Sequence, residues 1–289
     1  MPQIALTLTL EGLDAERVEE ACLEFGAVAV SYTDQRDDPI LEPAPGEFRL
    51  WPHSRLQALF PFDCKPDEIV AGLSHVLRVE PGRIAVETLA DRVWEREWLR
   101  DFHPMCFGRR LWVAPHHSHV HTQGAVIVRL DPGLAFGTGG HVSTRLVLIY
   151  LEQSLRSGQR VLDYGCGSGI LAIVAAKLGA AEVDAVDIDP QALAATAANA
   201  NINGVQVRCA APDALPAGNY DLVLANILAG PLIALQPLLA ARARRGGCIA
   251  LSGILETQAA DVARAYAQDF DIAVAATDEG WALLAGTRR

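Results

Sequence analysis

Three short stretches of this chain carry residues that could do chemistry together. "VLDYGCGSG" (161–169) ends an aliphatic run at Asp163 and then sets Gly165, Gly167 and Gly169 at every second position. Glycines permit a tight turn and let a ligand come close to the backbone, and a helix starting there adds N–H groups without intrahelical partners. "VDAVDIDP" (183–190) places Asp187 at a strand end, 22 residues after Gly165. A carboxylate at that point accepts hydrogen bonds from ribose hydroxyls. "YDLVLANILAGPL" (220–232) ends a third aliphatic run at Asn226, an uncharged amide where a working carboxylate or histidine would be the usual choice. The dinucleotide fingerprint is G-x-G-x-x-G. Here the third glycine comes one residue early, and Leu171 takes the fourth position after Gly167. That favours a nucleoside ligand without a pyrophosphate; a purely architectural turn is the plain alternative.

Several other residues have two readings. Asp189 stands beside Pro190 and reads as a helix cap. Asp213 in "APDAL" could meet an adenine amino group or be a loop acid. In "HHSHVH" (116–121), His117, His119 and His121 alternate without an accompanying acid or cysteine. This is an exposed loop before it is a metal site. Trp94, Trp98 and Trp112 fit packing at a junction better than a substrate cage.

These groups need strands to present them. In the second half, strands expected at 160–164, 183–188, 205–210, 220–226 and 247–252 alternate with apolar helices at about 143–156, 168–179, 190–203, 228–243 and 256–268. Such alternation builds an α/β domain on a parallel sheet with helices on both faces. "IAVAATDEGWALLAG" can turn back at 278–280 and add an antiparallel edge. The first half reads differently. "IALTLTLE" and "AVAVSYT" flank a helix over 14–25, "FRLWP" and "RLQALFP" read as short strands, and a helix over 65–79 leads to a strand over 83–90. Strand–helix–strand–strand–helix–strand is the ferredoxin-like α+β order. Three parts follow: a small domain over 1–90, a linker region over 91–123 containing a short helix at 91–102 and a strand at "RRLWVAP", and the α/β domain over 124–289.

The 289 residues are 51% apolar, enough for two folded domains. There is no run of eighteen apolar residues and no basic, apolar leader, so we expect a cytoplasmic protein. Six cysteines without a C-x-x-C pair fit reduced thiols. Residues 1–120 hold 20 acids and 12 bases, and residues 121–289 hold 15 and 12. An acidic chain is a poor direct binder of nucleic acid, whereas its acidic first half can attract a basic partner.

Glycine turn, strand-end acid and strand-end asparagine, in this order and spacing, resemble the seven-stranded, Rossmann-like methyltransferases that use S-adenosylmethionine. The likeness narrows at "DPGLAFGTGGHVSTRLVLIYLE" (131–152) and continues through "DYGCGSGILAIVAAKLGA", "DIDPQAL", "NILAGPL" and "LSGILETQA". These stretches resemble the bacterial methyltransferases of large-subunit ribosomal protein eleven. "WEREWLRDFHPMCFGRRLWVAP" (94–115) is similar as well. The resemblance implies an N-methyltransferase acting on lysine side chains and an α-amine of that basic protein, with a substrate-recognition first domain. It carries cofactor contacts onto Thr144, Gly165, Asp187 and Asn226, with Gly167 in the same turn. The family usually has "FGTGTHPTT" where this chain has "FGTGGHVST", so Gly140, Val142 and Ser143 depart from it. An extra glycine and a lost proline should loosen that loop. The alternatives are another protein or small amine as acceptor, or a nicotinamide oxidoreductase, which the early third glycine opposes.

The resemblance gives Asn226 a purpose. Methyl transfer to nitrogen needs a neutral amine, and lysine, with a reference pKa of about 10.4, is mostly ammonium near pH 7. A carboxylate at the site would hold it protonated. An amide can orient the amine without ionising. The same residue could simply cap the helix that follows. Ile227 and Leu228 stand where base and glutamine methyltransferases carry a proline pair, which argues against a flipped base.

Overall fold

The computed structural model describes residues 2–36, 50–89, 103–116, 118, 120, 122–130, 139–215 and 218–289. The chain divides into two compact units, residues 1–97 and 98–289.

The first unit runs β1 (Gln3–Thr9), α1 (Ala15–Glu24), β2 (Ala29–Asp34), β3 (Ser54–Pro61), α2 (Pro66–Leu77) and β4 (Ile84–Leu89). Its sheet is antiparallel in the order β2-β3-β1-β4. Alternation in β1 sends Ile4, Leu6 and Leu8 into a core shared with Val18 and Cys22 of α1 and Leu73 of α2. The Asp14 side chain accepts the Arg17 N–H at 3.1 Å and starts α1. "FRLWP" is not a strand where it is described: residues 50–53 form a turn before β3, and residues 37–49 lie outside the described residues.

The second unit holds two sheets. The smaller joins β5 (Met105–Phe107), β6 (Leu111–Pro115) and β7 (Val126–Leu130). Phe107, Leu111, Val113, Val128 and Leu130 bury into the core of this unit. Residues of the stretch expected to be a linker therefore work as core here. The expected helix at 91–102, with Trp94 and Trp98, lies outside the described residues, as do His117, His119 and His121.

The larger sheet has seven strands in the order β10-β9-β8-β11-β12-β14-β13. Its parallel part comprises β8 (Arg160–Tyr164), β9 (Glu182–Val186), β10 (Arg208–Ala210), β11 (Tyr220–Asn226) and β12 (Ala243–Leu255). β13 (Phe270–Asp278) and β14 (Trp281–Arg288) form the C-terminal hairpin, and β14 pairs antiparallel with β12. Helices α3 (Val142–Ser154), α4 (Ile170–Lys177) and α5 (Pro190–Ile202) alternate with the early strands. The expected helix over 228–243 is two, α6 (Ala229–Ala234) and α7 (Gln236–Arg242). Pro237 has no N–H to continue the ladder, and it sits in the first turn of α7, where none is needed. α8 (Ala259–Tyr266) precedes the hairpin. Successive residues of β11 serve opposite cores: Leu222 and Leu224 pack with α3 and α4, Val223 and Ala225 with α6 to α8. Burial on both faces is why these strands read as continuous aliphatic runs. No helix among the described residues is long and apolar enough to cross a membrane.

Candidate functional site

Parallel register brings the expected site residues together. Tyr164 of β8 pairs with Val186 of β9 and with Ala225 of β11. Gly165, Asp187 and Asn226 each stand one residue beyond that row. They line the carboxyl edge where strand order reverses between β8 and β11, the usual ligand crevice of an open α/β sheet.

The glycine turn is held from below and from the side. Gly165 (φ +79°) and Cys166 both donate to Val186 O, at 2.7 and 3.0 Å. Gly167 donates to Asp187 Oδ2 at 2.9 Å, and Asp189 N–H donates to Asp187 Oδ1 at 3.0 Å. The acid expected to meet a ribose thus also braces the turn. From α5, Thr196 Oγ1 donates to Gly167 O at 3.0 Å and Asn199 Nδ2 to Ser168 O at 2.9 Å. Neither partner was evident from the sequence, because both are ordinary helix residues until the fold brings them over the turn. Burial pushes the Cys166 thiol up, so this residue is packing and not a nucleophile. Asp163 beneath the turn is fully buried. One oxygen accepts the Ala172 N–H at 3.1 Å and the other has no partner among the described residues. Desolvation pushes this carboxyl up to about 7, against the pull of the Ala172 N–H and with a further push from Asp187.

Beside Asp187, Ile188 is 85% exposed. Asp189 caps α5, accepting the Gln191 N–H at 2.8 Å. Asp213 lies exposed in a single turn after β10, one strand further out.

Asn226 donates from Nδ2 to Thr144 Oγ1 at 3.1 Å. Its Oδ1 is buried and has no hydrogen-bond partner among the described residues. Buried acceptors are rarely left so. Thr144 is itself buried in the first turn of α3. That turn is anchored to the C-terminal hairpin, which the sequence offered only as an edge. Ser252 Oγ faces Ser143 O at 3.2 Å and Ala282 O at 3.1 Å. Arg145 pairs with Asp278 at 2.5 Å and Glu279 at 3.0 Å. His141 caps α3 by accepting the Ser143 N–H, and its ring meets Trp281 edge to face at 4.5 Å. Residues 131–138 lie outside the described residues; Gly140 is exposed. Val142 occupies the first helical position, where a proline would fit equally because that N–H has no intrahelical partner. The helix therefore starts in place without the proline. Trp112 is partly buried in β6, paired with Cys106 of β5 and Ile127 of β7. Among the described residues no cluster could hold a metal ion.

The arrangement sets a strand-end carboxylate, a glycine turn, an exposed isoleucine and a neutral amide at one sheet edge. The profile of the family described as ribosomal protein L11 methyltransferase (PrmA) matches residues 2–289. The chain belongs to this family. Ribosomal protein L11 methyltransferases of Erwinia tasmaniensis and Pseudomonas putida strain GB-1 are each 45% identical to it, over 296 and 292 aligned residues that cover 100% of both chains. The crystal structure of a ribosomal protein L11 methylase from Lactobacillus delbrueckii subsp. bulgaricus is similar, with a TM-score of 0.60 and 35% identity. It covers 65% of this chain and 100% of that one. The family match includes the first unit, where the motifs themselves were sparse.

Proposed function

We propose that this chain transfers methyl groups from S-adenosylmethionine to amines of ribosomal protein L11, on lysine side chains and the N-terminal α-amine. In this reading the seven-stranded sheet is a Rossmann-like methyltransferase core, and the first unit is a ferredoxin-like domain that selects the substrate. The observation that carries it is the buried, unpartnered Oδ1 of Asn226 beside the glycine turn. It accepts an N–H from an incoming amine and adds no charge that would keep the amine protonated.

S-adenosylmethionine supplies the methyl group together with its own leaving group. The protein supplies position and dryness. Asp187 would accept from the ribose hydroxyls, Gly165 and Gly167 would let the cofactor approach the backbone, and Thr144 holds the Asn226 amide in one orientation. Desolvation of the amine favours its neutral form.

The test is to incubate the purified chain with labelled S-adenosylmethionine and purified L11, then locate the added methyls by mass spectrometry. Methylated lysines and α-amine are expected. An intact L11 left unmodified by a chain that binds the cofactor would overturn the substrate. Docking of a basic protein on the acidic first half is electrostatic, so the KM for L11 should rise severalfold between about 50 and 200 mM salt, while cofactor affinity stays within roughly twofold. A salt-independent KM would remove the charge argument.

Asp187→Ala is expected to weaken S-adenosylhomocysteine binding by about 1–3 kcal/mol. Because Asp187 also braces Gly167, the ribose part is isolated with a ligand lacking the ribose hydroxyls. That ligand should bind the unaltered chain more weakly and lose little more on the variant. Equal further loss for both ligands would assign Asp187 to the turn alone.

A further inference from the structure

Ile227 follows Asn226, and two glycines from different parts of the chain meet it. A Cβ added to Gly165 would lie 2.4 Å from Ile227 Cγ2 and 3.9 Å from its Cβ, and would touch nothing else among the described residues. A Cβ added to Gly253 would lie 2.6 Å from Ile227 O and 2.9 Å from its C and N. Gly253 has φ +80° and sits where the register of β12 against β14 shifts, just after Ser252 pairs with Asn226. The shift is a β-bulge, which re-aims a strand beside a site. Ile227 is therefore seated with its side chain on the ligand-binding turn and its backbone on the bulge.

We propose that Ile227 is a positioning residue, a wedge between two positions that lack a Cβ, and that its seat on Gly253 fixes where the Asn226 amide and the carbonyl of Ile227 face. The inference rests on the methyltransferase reading above. The two contacts differ in kind. The one at Gly165 is made by a side chain and can be removed by truncating Ile227. The one at Gly253 is made by backbone and cannot. The turn that holds the cofactor and the amide that orients the amine are thus set against one another through a single residue. Displacing a reacting partner by about 1 Å costs on the order of a hundredfold in rate.

Cofactor affinity by calorimetry with S-adenosylhomocysteine, kcat on L11 and thermal unfolding are measured for Gly253→Ala, Gly165→Ala, and each combined with Ile227→Ala. Folded Gly253→Ala should lose on the order of a hundredfold in kcat while its cofactor affinity stays within about threefold. Adding Ile227→Ala should not restore that turnover. Gly165→Ala should bind cofactor weakly, and adding Ile227→Ala should restore part of the affinity. Unchanged kcat in folded Gly253→Ala overturns the proposal, and so does turnover regained in its double variant. If Gly253→Ala does not fold, the Gly165 pair decides: no regained affinity overturns the wedge. Failure of the methyltransferase reading is separate, because the unaltered chain would then neither bind S-adenosylhomocysteine nor modify L11.

Discussion

Gly165→Val is expected to abolish measurable binding of S-adenosylhomocysteine while leaving a folded protein of reduced stability. Two costs combine. Position 165 has φ +79°, a conformation that costs a non-glycine residue about 1–3 kcal/mol. Valine, branched at Cβ, tolerates it least. The new Cβ also falls 2.4 Å from Ile227 Cγ2, an overpacking of about 1–3 kcal/mol. The turn and the Asn226 segment cannot both stay in place. From the sequence, a side chain at 165 is expected to block the ligand's path. The structure gives a different first cause, collision with the protein's own Ile227, and the same outcome. The affinity loss should exceed about a hundredfold, as for misplacement of a binding group by about 1 Å. Calorimetry checks affinity and thermal unfolding checks the fold. A folded variant with unaltered affinity would make the glycine turn architectural only.

What the sequence could say about the site follows from how local each feature is. Strand-end Asp187 and Asn226, the glycine turn and the Asp189 cap are written within a few residues each, and β8, β9 and β11 deliver them to one edge. Their supports are not local. Thr196 and Asn199 lie 29 and 31 residues from the carbonyls they hold, and Arg145 pairs with Asp278 across 133 residues. Helical threonines, asparagines and arginines carry no signal for such partners until strand order is known. Gly253 shows the same limit. In "LSGIL" it stands just past the strand expected at 247–252, whereas β12 runs on to Leu255, and only the bulge and the closeness of Ile227 give it a use. The double role of Asp187 was equally hidden, since spacing marks the acid for ribose and says nothing of the Gly167 N–H. In the first unit, alternation placed four strands, helical periodicity placed both helices, and the Asp14 cap marked the start of the first. "FRLWP" misled because alternation over so few residues does not separate a strand from the turn that enters one.

Asn226→Asp should lower turnover near pH 7 by a hundredfold or more while leaving cofactor affinity within a fewfold. A carboxylate about 4 Å from an ammonium in a partly buried site attracts it by about 4 kcal/mol, which raises the amine's pKa by about three units. The neutral fraction that can react falls accordingly. The sign fixes the pH dependence. A raised amine pKa means that neutral amine returns only as pH climbs through the raised value, so the rising limb of log kcat moves to higher pH. Thr144 sharpens the test. Its hydroxyl, which now accepts from Asn226 Nδ2 at 3.1 Å, can rotate to donate to a carboxylate. The side chain at 226 then stays in place, and its charge is what changes. Asn226→Ala is the control. It removes the unpartnered Oδ1 and the bond to Thr144, so turnover falls through lost orientation, but it adds no charge and the limb stays where it is. Rate profiles of the three chains across the alkaline range, with saturating S-adenosylmethionine, separate orientation from protonation. An Asn226→Asp limb that coincides with that of the unaltered chain would leave the neutrality of the amide without a role.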